Sequence, residues 1–168
     1  RDVAPSRGLG DVYKRQPLAP VFLPINKYGS QAKESSLQIN NAYESDEQML
    51  IFPAGLCSRL QHGKIKDLEW KKTFIAKAVQ SQRDIIPIYF EGRNSTFFYR
   101  FAQIRKCIGL KFNIELIYLP DEMFNSKNKT FDIYIGKPIP WQTFDKSKSL
   151  QEWAQIVKEK VYQIKKNQ

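Results

Sequence analysis

The stretch Asp67-Leu-Glu-Trp-Lys-Lys-Thr-Phe-Ile-Ala-Lys-Ala-Val-Gln-Ser-Gln-Arg-Asp-Ile-Ile-Pro-Ile-Tyr-Phe90 changes its apolar period partway along. Trp70, Phe74, Ile75 and Ala78 share one stripe at helical spacing, so a helix opening near Asp67 is expected. From Asp84 to Phe90 the residues turn β-branched and aromatic, which is strand composition, and Pro87 restricts that strand to an edge or bulge. The same alternation extends both ways. Upstream, Val21-Phe-Leu-Pro-Ile25 reads as a strand, Asn26 to Gly29 as a turn, and Ser30 as the cap of a helix to about Ser45. Gln48 to Phe52 reads as a further strand that stops at Pro53-Ala-Gly55, and Leu56 to Lys66 as a cationic loop carrying Arg59, His62, Lys64 and Lys66. Downstream, Thr96 to about Lys106 reads as a helix, Leu110 to Phe124 fits either state, and Thr130 to Ile135 alternates as a strand. Ser149 and Glu152 make a capping box for a last helix on which Leu150, Trp153, Val157, Val161 and Ile164 recur. Strands alternating with helices predict an α/β fold, a mixed sheet flanked by helices.

With 168 residues and 42% hydrophobic composition, the chain has one domain's worth of core. Aromatics at 13% and a mean hydropathy of -0.51 exclude a disordered chain and a bundle of membrane spans. Cys57 and Cys107 are too few for a disulfide framework and point to a reducing compartment. The charge says more: 27 basic and 17 acidic residues give +10, which favours an anionic partner such as nucleic acid, a phospholipid surface or a phosphorylated substrate. The first sixteen residues stand apart. Back-translated, Ser6 to Gln16 matches the adaptor of transposon-based sequencing libraries, so residues 1–16 are expected to be a non-native tail and 17–168 the C-terminal part of one domain. Setting aside Arg1, Arg7, Lys14, Arg15, Asp2 and Asp11 leaves 23 basic and 15 acidic residues, still +8.

Candidate chemistry sits at three strand exits. One histidine and two distant cysteines lack metal-ligand spacing, and no glycine-rich nucleotide loop is present, so neither metal nor cofactor is expected. The first exit runs into Asn26, Lys27 and a helix start, where free N–H groups beside a lysine suit an anion; an ordinary turn is the plainer reading. The second is Phe52-Pro-Ala-Gly-Leu-Cys-Ser-Arg59. Its Pro53 and Gly55 bend the chain close to a ligand, and Ser58 and Arg59 offer a hydroxyl and a forked cation suited to phosphate. The third, Ile86-Pro-Ile-Tyr-Phe-Glu-Gly92, contributes Pro87. A fourth stretch, Phe97 to Phe112, mixes large aromatics with Arg100, Arg105, Lys106 and Lys111. It suits the headgroup boundary of anionic lipid, or equally a core helix with a basic outer face.

Taken together, these blocks resemble the glycerolipid acyltransferases of the lysophosphatidic acid type. Phe52-Pro-Ala-Gly-Leu-Cys-Ser58 is similar to that family's F-P-E-G-T-R-S block, Ile86-Pro-Ile88 to its V-P-V block, and Val21-Phe-Leu23 to the apolar part of an earlier block. The wording is nearest a hemolysin-like, lyso-ornithine-lipid-type branch of Bacteroides-like bacteria. The resemblance implies the family's α/β fold, incomplete at the N-terminus. It also implies transfer of a fatty acyl group from acyl-CoA or acyl-ACP to a lysolipid hydroxyl, at the cytoplasmic face of the inner membrane, by a peripheral enzyme. Acceptor binding would fall to Asn26, Lys27, Phe52, Pro53, Gly55, Ser58, Arg59 and Pro87. Ala54 and Cys57 depart from the family block, which allows an acceptor other than lysophosphatidic acid, such as a lyso-aminolipid. The family's catalytic N-H-x-x-x-x-D block precedes these motifs, so it is expected before Pro17 and outside this chain. His62-Gly-Lys-Ile-Lys-Asp67 fits the spacing but follows the F-P-x-G block and lacks the Asn. A basic nucleic-acid-binding or non-catalytic interaction module is the rival; the lack of any nucleic-acid motif argues against a nucleic-acid partner.

Overall fold

The computed structural model describes residues 23, 33–110 and 113–165. The chain divides into two units, residues 1–50 and 51–168. The first contains helix α1 (Lys33–Glu44), which ends where Ser45 donates its N–H to the Asn41 carbonyl at 2.9 Å. Of the expected strand at Val21–Ile25 only Leu23 is described, and the tail before Pro17, Asn26 and Lys27 lie outside the described residues.

The second unit begins with a correction. Gln48–Phe52 forms no strand, and Phe52 is 77% exposed, because a strand is stable only against a neighbour and none pairs with it among the described residues. The expected cationic loop is instead a hairpin, β1 (Arg59–Gln61) against β2 (Lys64–Lys66), with Gln61 opposite Lys64. Its two-residue turn places His62 at φ 49° and Gly63 at φ 76°, the double left-handed geometry that matches the twist of paired strands. Helix α2 (Thr73–Gln80) starts six residues later than Asp67, yet Trp70, Phe74, Ile75 and Ala78 are all buried as expected.

Strand β3 (Ile88–Glu91) pairs antiparallel with β4 (Asp132–Ile135), Ile88 facing Ile135 and Phe90 facing Ile133. Pro87 has no N–H to donate, so regular pairing stops there; its carbonyl accepts from Gly136 at 2.8 Å, and a single bridge, Ile85 to Ile139, continues beyond. Among the described residues both sheets are two-stranded and antiparallel. The mixture of helices and strands is as expected. Helix α3 (Thr96–Cys107) is capped by Ser95, whose Oγ accepts the Phe98 N–H at 3.2 Å, and Arg105 and Lys106 oppose the dipole at its far end. The ambiguous stretch resolves into a 3₁₀ turn (Ile114–Tyr118) followed by α4 (Leu119–Phe124).

The last helix, α5 (Leu150–Ile164), carries the capping box read from the sequence: Ser149 Oγ accepts the Glu152 N–H at 3.2 Å while Glu152 Oε2 accepts the Ser149 N–H at 2.7 Å. Its Ala154, Val157 and Val161 pack with Trp70, Phe74, Ile75, Ile139 and Phe144 into one core. Burying large side chains of this kind contributes about 2 kcal/mol each. A second set, Phe98, Tyr99 and Ala102, is buried along the inner side of α3.

Candidate functional site

The segment from Phe52 to Arg59 begins with a tight turn in which Gly55 donates its N–H to the Phe52 carbonyl at 3.0 Å. Gly55 has φ 65°, and nothing lies within 4 Å of where its Cβ would be, so the backbone angle and not crowding calls for glycine. The Pro53 carbonyl accepts the Lys71 N–H at 3.1 Å. Ala54, where the resembled family has Glu, packs against the α2–α5 core. A carboxylate there would stand against this apolar cluster, so this chain's Ala suits the packing.

Past the turn, neighbouring side chains take separate anchors. Ser58 Oγ donates to Asp67 Oδ1 at 2.5 Å, and Trp70 Nε1 donates to Asp67 Oδ2 at 3.1 Å, so both oxygens of that carboxylate are occupied. The backbone around Asp67 is held by α5. The Asp67 N–H donates to Tyr162 Oη at 3.1 Å, and Lys158 Nζ donates to the carbonyls of Asp67 and Leu68 at 3.0 and 2.8 Å. Gln151 and Gln155 donate to the Trp70 carbonyl at 2.8 and 2.9 Å. Burial pushes the Tyr162 phenol above its ordinary value, so it stays a neutral hydroxyl at neutral pH.

Arg59 turns toward α3 and the 3₁₀ turn. Its Nη2 donates to Glu115 Oε1 at 2.6 Å, its Nη1 donates to the Cys57 carbonyl at 3.2 Å, and its guanidinium carbon lies 5.8 Å from the centre of the Phe98 ring. Arg105 Nε lies 2.8 Å from Glu115 Oε2. Glu115 has no exposed surface, and each arginine side chain is 12% exposed. Two guanidinia on one carboxylate leave a surplus of one positive charge, which a second anion would neutralise.

The predicted residues are thus distributed among several places. Phe52, Pro53 and Gly55 share the turn, Ser58 joins Asp67, and Arg59 joins Glu115 and Arg105. Pro87 is buried at an open groove of about 300 Å³ with Gly136, Lys137, Lys160 and Ile164, which holds none of the other predicted residues. His62 is exposed in the hairpin turn while the Asp67 carboxylate is engaged by Ser58 and Trp70, so the H-x-x-x-x-D spacing does not make a His–Asp pair. Sequence reasoning missed Glu115. A lone acid inside the apolar run Asn113-Ile-Glu-Leu-Ile-Tyr118 was the available sign, since a buried carboxylate needs a cationic partner. Among the described residues no group of three or more His, Cys, Asp or Glu side chains could hold a metal ion.

The turn, the Ser58–Asp67 bond and the Arg59–Glu115–Arg105 group are the polar features of this segment. The chain belongs to the acyltransferase family, a family of transferases, whose description matches residues 9–168. This agrees with the resemblance carried by the Phe52–Ser58 and Ile86–Ile88 blocks. It is 56% identical over 147 residues, 88% of this chain and 54% of the relative, to a lyso-glycine lipid O-acyltransferase of Bacteroides thetaiotaomicron. A lyso-glycine lipid O-acyltransferase of Phocaeicola vulgatus is 55% identical over 147 residues, 88% of this chain and 53% of the relative. The chain therefore spans about half the length of the curated relatives it matches. No solved structure matches it.

Proposed function

We propose that this chain supplies the acceptor-binding part of an enzyme that O-acylates a lysolipid with an amino-acid headgroup. The observation that carries the reading is the likeness to two lyso-glycine lipid O-acyltransferases over a region that includes the Phe52–Arg59 segment. The surplus charge of the Arg59–Glu115–Arg105 group supports it: a glycine linked through its amine keeps a free carboxylate, which a guanidinium fork fits. The acyl donor is a thioester, acyl-CoA or acyl-ACP. The acceptor hydroxyl oxygen attacks the thioester carbonyl, the C–O bond forms, the C–S bond breaks, and the hydroxyl proton passes to a base.

That base is not His62, which stands in the hairpin turn without a carboxylate to orient it. His62 is the chain's one histidine, so this chain by itself is expected to transfer no acyl group. In the complete protein the strands described above join one mixed α/β sheet, and the enzyme works as a peripheral protein at the cytoplasmic face of the inner membrane.

The test is release of free thiol from acyl-CoA or acyl-ACP in the presence of lyso-glycine lipid. It is run on this chain, on its His62→Ala variant, and on the complete Bacteroides thetaiotaomicron relative with alanine at the position matching Arg59. The expected result is transfer by the relative alone, with its Arg59-matched variant losing apparent affinity for the acceptor and keeping its donor KM. Thiol release by this chain that vanishes in His62→Ala would overturn the assignment of the base. An unchanged acceptor KM in the variant would overturn the assignment of Arg59.

A further inference from the structure

We propose that the outer face of α3 is the surface by which this unit docks on an anionic lipid bilayer. The proposal deepens the peripheral-membrane reading given above and rests on it. Helix α3 is apolar on two sides. Its inner side buries Phe98, Tyr99 and Ala102, yet Phe97, Phe101, Ile104 and Ile108 recur four, three and four residues apart and form a second stripe facing away from that core. Phe97 and Ile104 are each 56% exposed and Ile108 is 68% exposed. Phe97 stacks on Phe101 with ring centres 5.8 Å apart, and Tyr118 meets both rings edge-on at 5.4 and 5.5 Å. Three aromatics thus form a rigid ledge at the start of the stripe.

Charge selects the occupant. Between Gly92 and Thr130 the chain has seven basic and three acidic residues. Glu115 is buried against two arginines, and Glu122 accepts the Ser95 N–H at 2.6 Å at the start of α3, which leaves Asp121 as the one acid of the three outside these bonds. Arg100 and Lys106 are exposed on the helix, and Lys127 and Lys129 are exposed beyond α4, where Met123 and Phe124 are also exposed. An apolar face flanked on its helix by Arg100, within a stretch that has four more basic than acidic residues, on a helix whose backbone bonds are internally satisfied, fits the boundary between headgroups and acyl chains.

A second exposed apolar face differs in its backbone. Ile88, Phe90, Ile133 and Ile135 share one side of the β3–β4 ladder, while Glu91 and Asp132 lie on the other side, where Glu91 pairs with Lys165. A two-stranded ladder has edge N–H and C=O groups that a polypeptide strand would satisfy and lipid would not.

The experiment is co-sedimentation of the chain with vesicles of phosphatidylglycerol and phosphatidylethanolamine, and with vesicles of phosphatidylcholine alone. Three variants accompany it: Phe97→Ser, Ile104→Ser and, on the sheet face, Phe90→Ser. The chain is expected to bind the anionic vesicles and to lose affinity with added salt. Phe97→Ser and Ile104→Ser should each weaken binding about tenfold, the effect of withdrawing roughly half of a large apolar side chain from lipid. Phe90→Ser should bind as the parent does. Ile104 is exposed, so that variant keeps its fold even if Phe97→Ser disturbs the aromatic ledge; far-UV circular dichroism checks both. Absence of vesicle binding, or binding unchanged in Ile104→Ser, overturns the proposal. So does a loss in Ile104→Ser that accompanies a change of oligomeric state by sedimentation, which would assign the face to a protein. The acyl-transfer reading is tested separately, on the complete Bacteroides thetaiotaomicron relative with an acceptor dissolved as monomers, so loss of docking in Ile104→Ser of this chain with transfer retained by the relative carrying the matching substitution distinguishes the two.

Discussion

Replacing Glu115 by Gln keeps the side chain's size and removes its charge, which leaves Arg59 and Arg105 facing each other in a dry site. The parent carboxylate has no exposed surface and lies 2.6 Å from one guanidinium and 2.8 Å from the other. At an effective dielectric constant of 20, an attraction over 2.6 Å is about 6 kcal/mol per pair before desolvation is subtracted. Measured costs of removing one partner from a buried ion pair run lower, about 3–5 kcal/mol, because desolvation offsets much of the attraction. Glu115→Gln is therefore expected to destabilise the fold by about 3–5 kcal/mol, a fall of roughly 10–20 °C in Tm for a unit of this size. Urea unfolding followed by tryptophan fluorescence reads the change, since Trp70 lies in the core next to the Asp67 loop. Replacing Arg59, Arg105 and Glu115 together by Met, Met and Leu should recover most of the loss, because no charge then remains buried. A cost below about 1 kcal/mol for Glu115→Gln would refute the reasoning, since it would mean that water reaches the site and screens it.

Three further outcomes are expected. Ser149→Ala removes the Oγ that accepts the Glu152 N–H and leaves the backbone half of the capping box in place; it should cost about 1 kcal/mol, read as a lower urea midpoint with an unchanged slope. Gly136→Ala would bring a Cβ to 2.9 Å from Pro87 Cγ and from Ile164 Cδ1; it should cost about 1–3 kcal/mol, and thermal unfolding checks it. The third concerns pH. A hydrogen bond from Lys165 holds the Glu91 carboxyl below its ordinary value of 4.5, and the same bond raises Lys165 above 10.5. For Glu91 the folded pKa is the lower one, so its contribution is present above pH 4.5 and is lost as pH falls through the folded value. For Lys165 the folded pKa is the higher one, so its contribution is present below pH 10.5 and lost as pH rises through it. Lys165→Met should flatten both limbs of a stability–pH curve by lowering its middle slightly, the pair being exposed, while stability at the extremes of pH is unchanged.

What could be read in advance was local. The capping box at Ser149 and Glu152, the stripe on α5 and the helix at Thr96 each depend on residues a turn or two apart, and each is found where its pattern puts it. The hairpin at Arg59–Lys66 was hidden because its alternating cations look like a solvated loop; the His62-Gly63 turn was the sign to weigh. The late start of α2 was invisible for another reason. Asp67 to Trp70 give up helical bonding to take partners on α5, and nothing nearby in the chain announces Lys158 or Tyr162. Of the acceptor residues, Arg59 was readable as a forked cation, whereas its carboxylate partner lies 56 positions away. The same distance explains Gln48–Phe52, whose apolar run asks for a neighbouring strand that composition cannot promise.

The bonds that α5 makes to the Asp67 segment also set a schedule. Tyr162 lies 95 residues beyond the backbone N–H it accepts, and Lys158 lies 91 residues beyond the Asp67 carbonyl. A ribosome adds about 5–20 residues per second, so the Asp67 segment emerges roughly 5–20 seconds before the helix that holds it. Through that interval Trp70, Phe74 and Ile75 are out of the exit tunnel with no partner to cover them, and the Ser58–Asp67 bond has no fixed carboxylate to form against. The apolar stripe of α2 is therefore without its α5 partner until that helix is made. Slowing translation between Gln80 and Ser149 should raise the aggregated fraction, while slowing it before Phe52 should not.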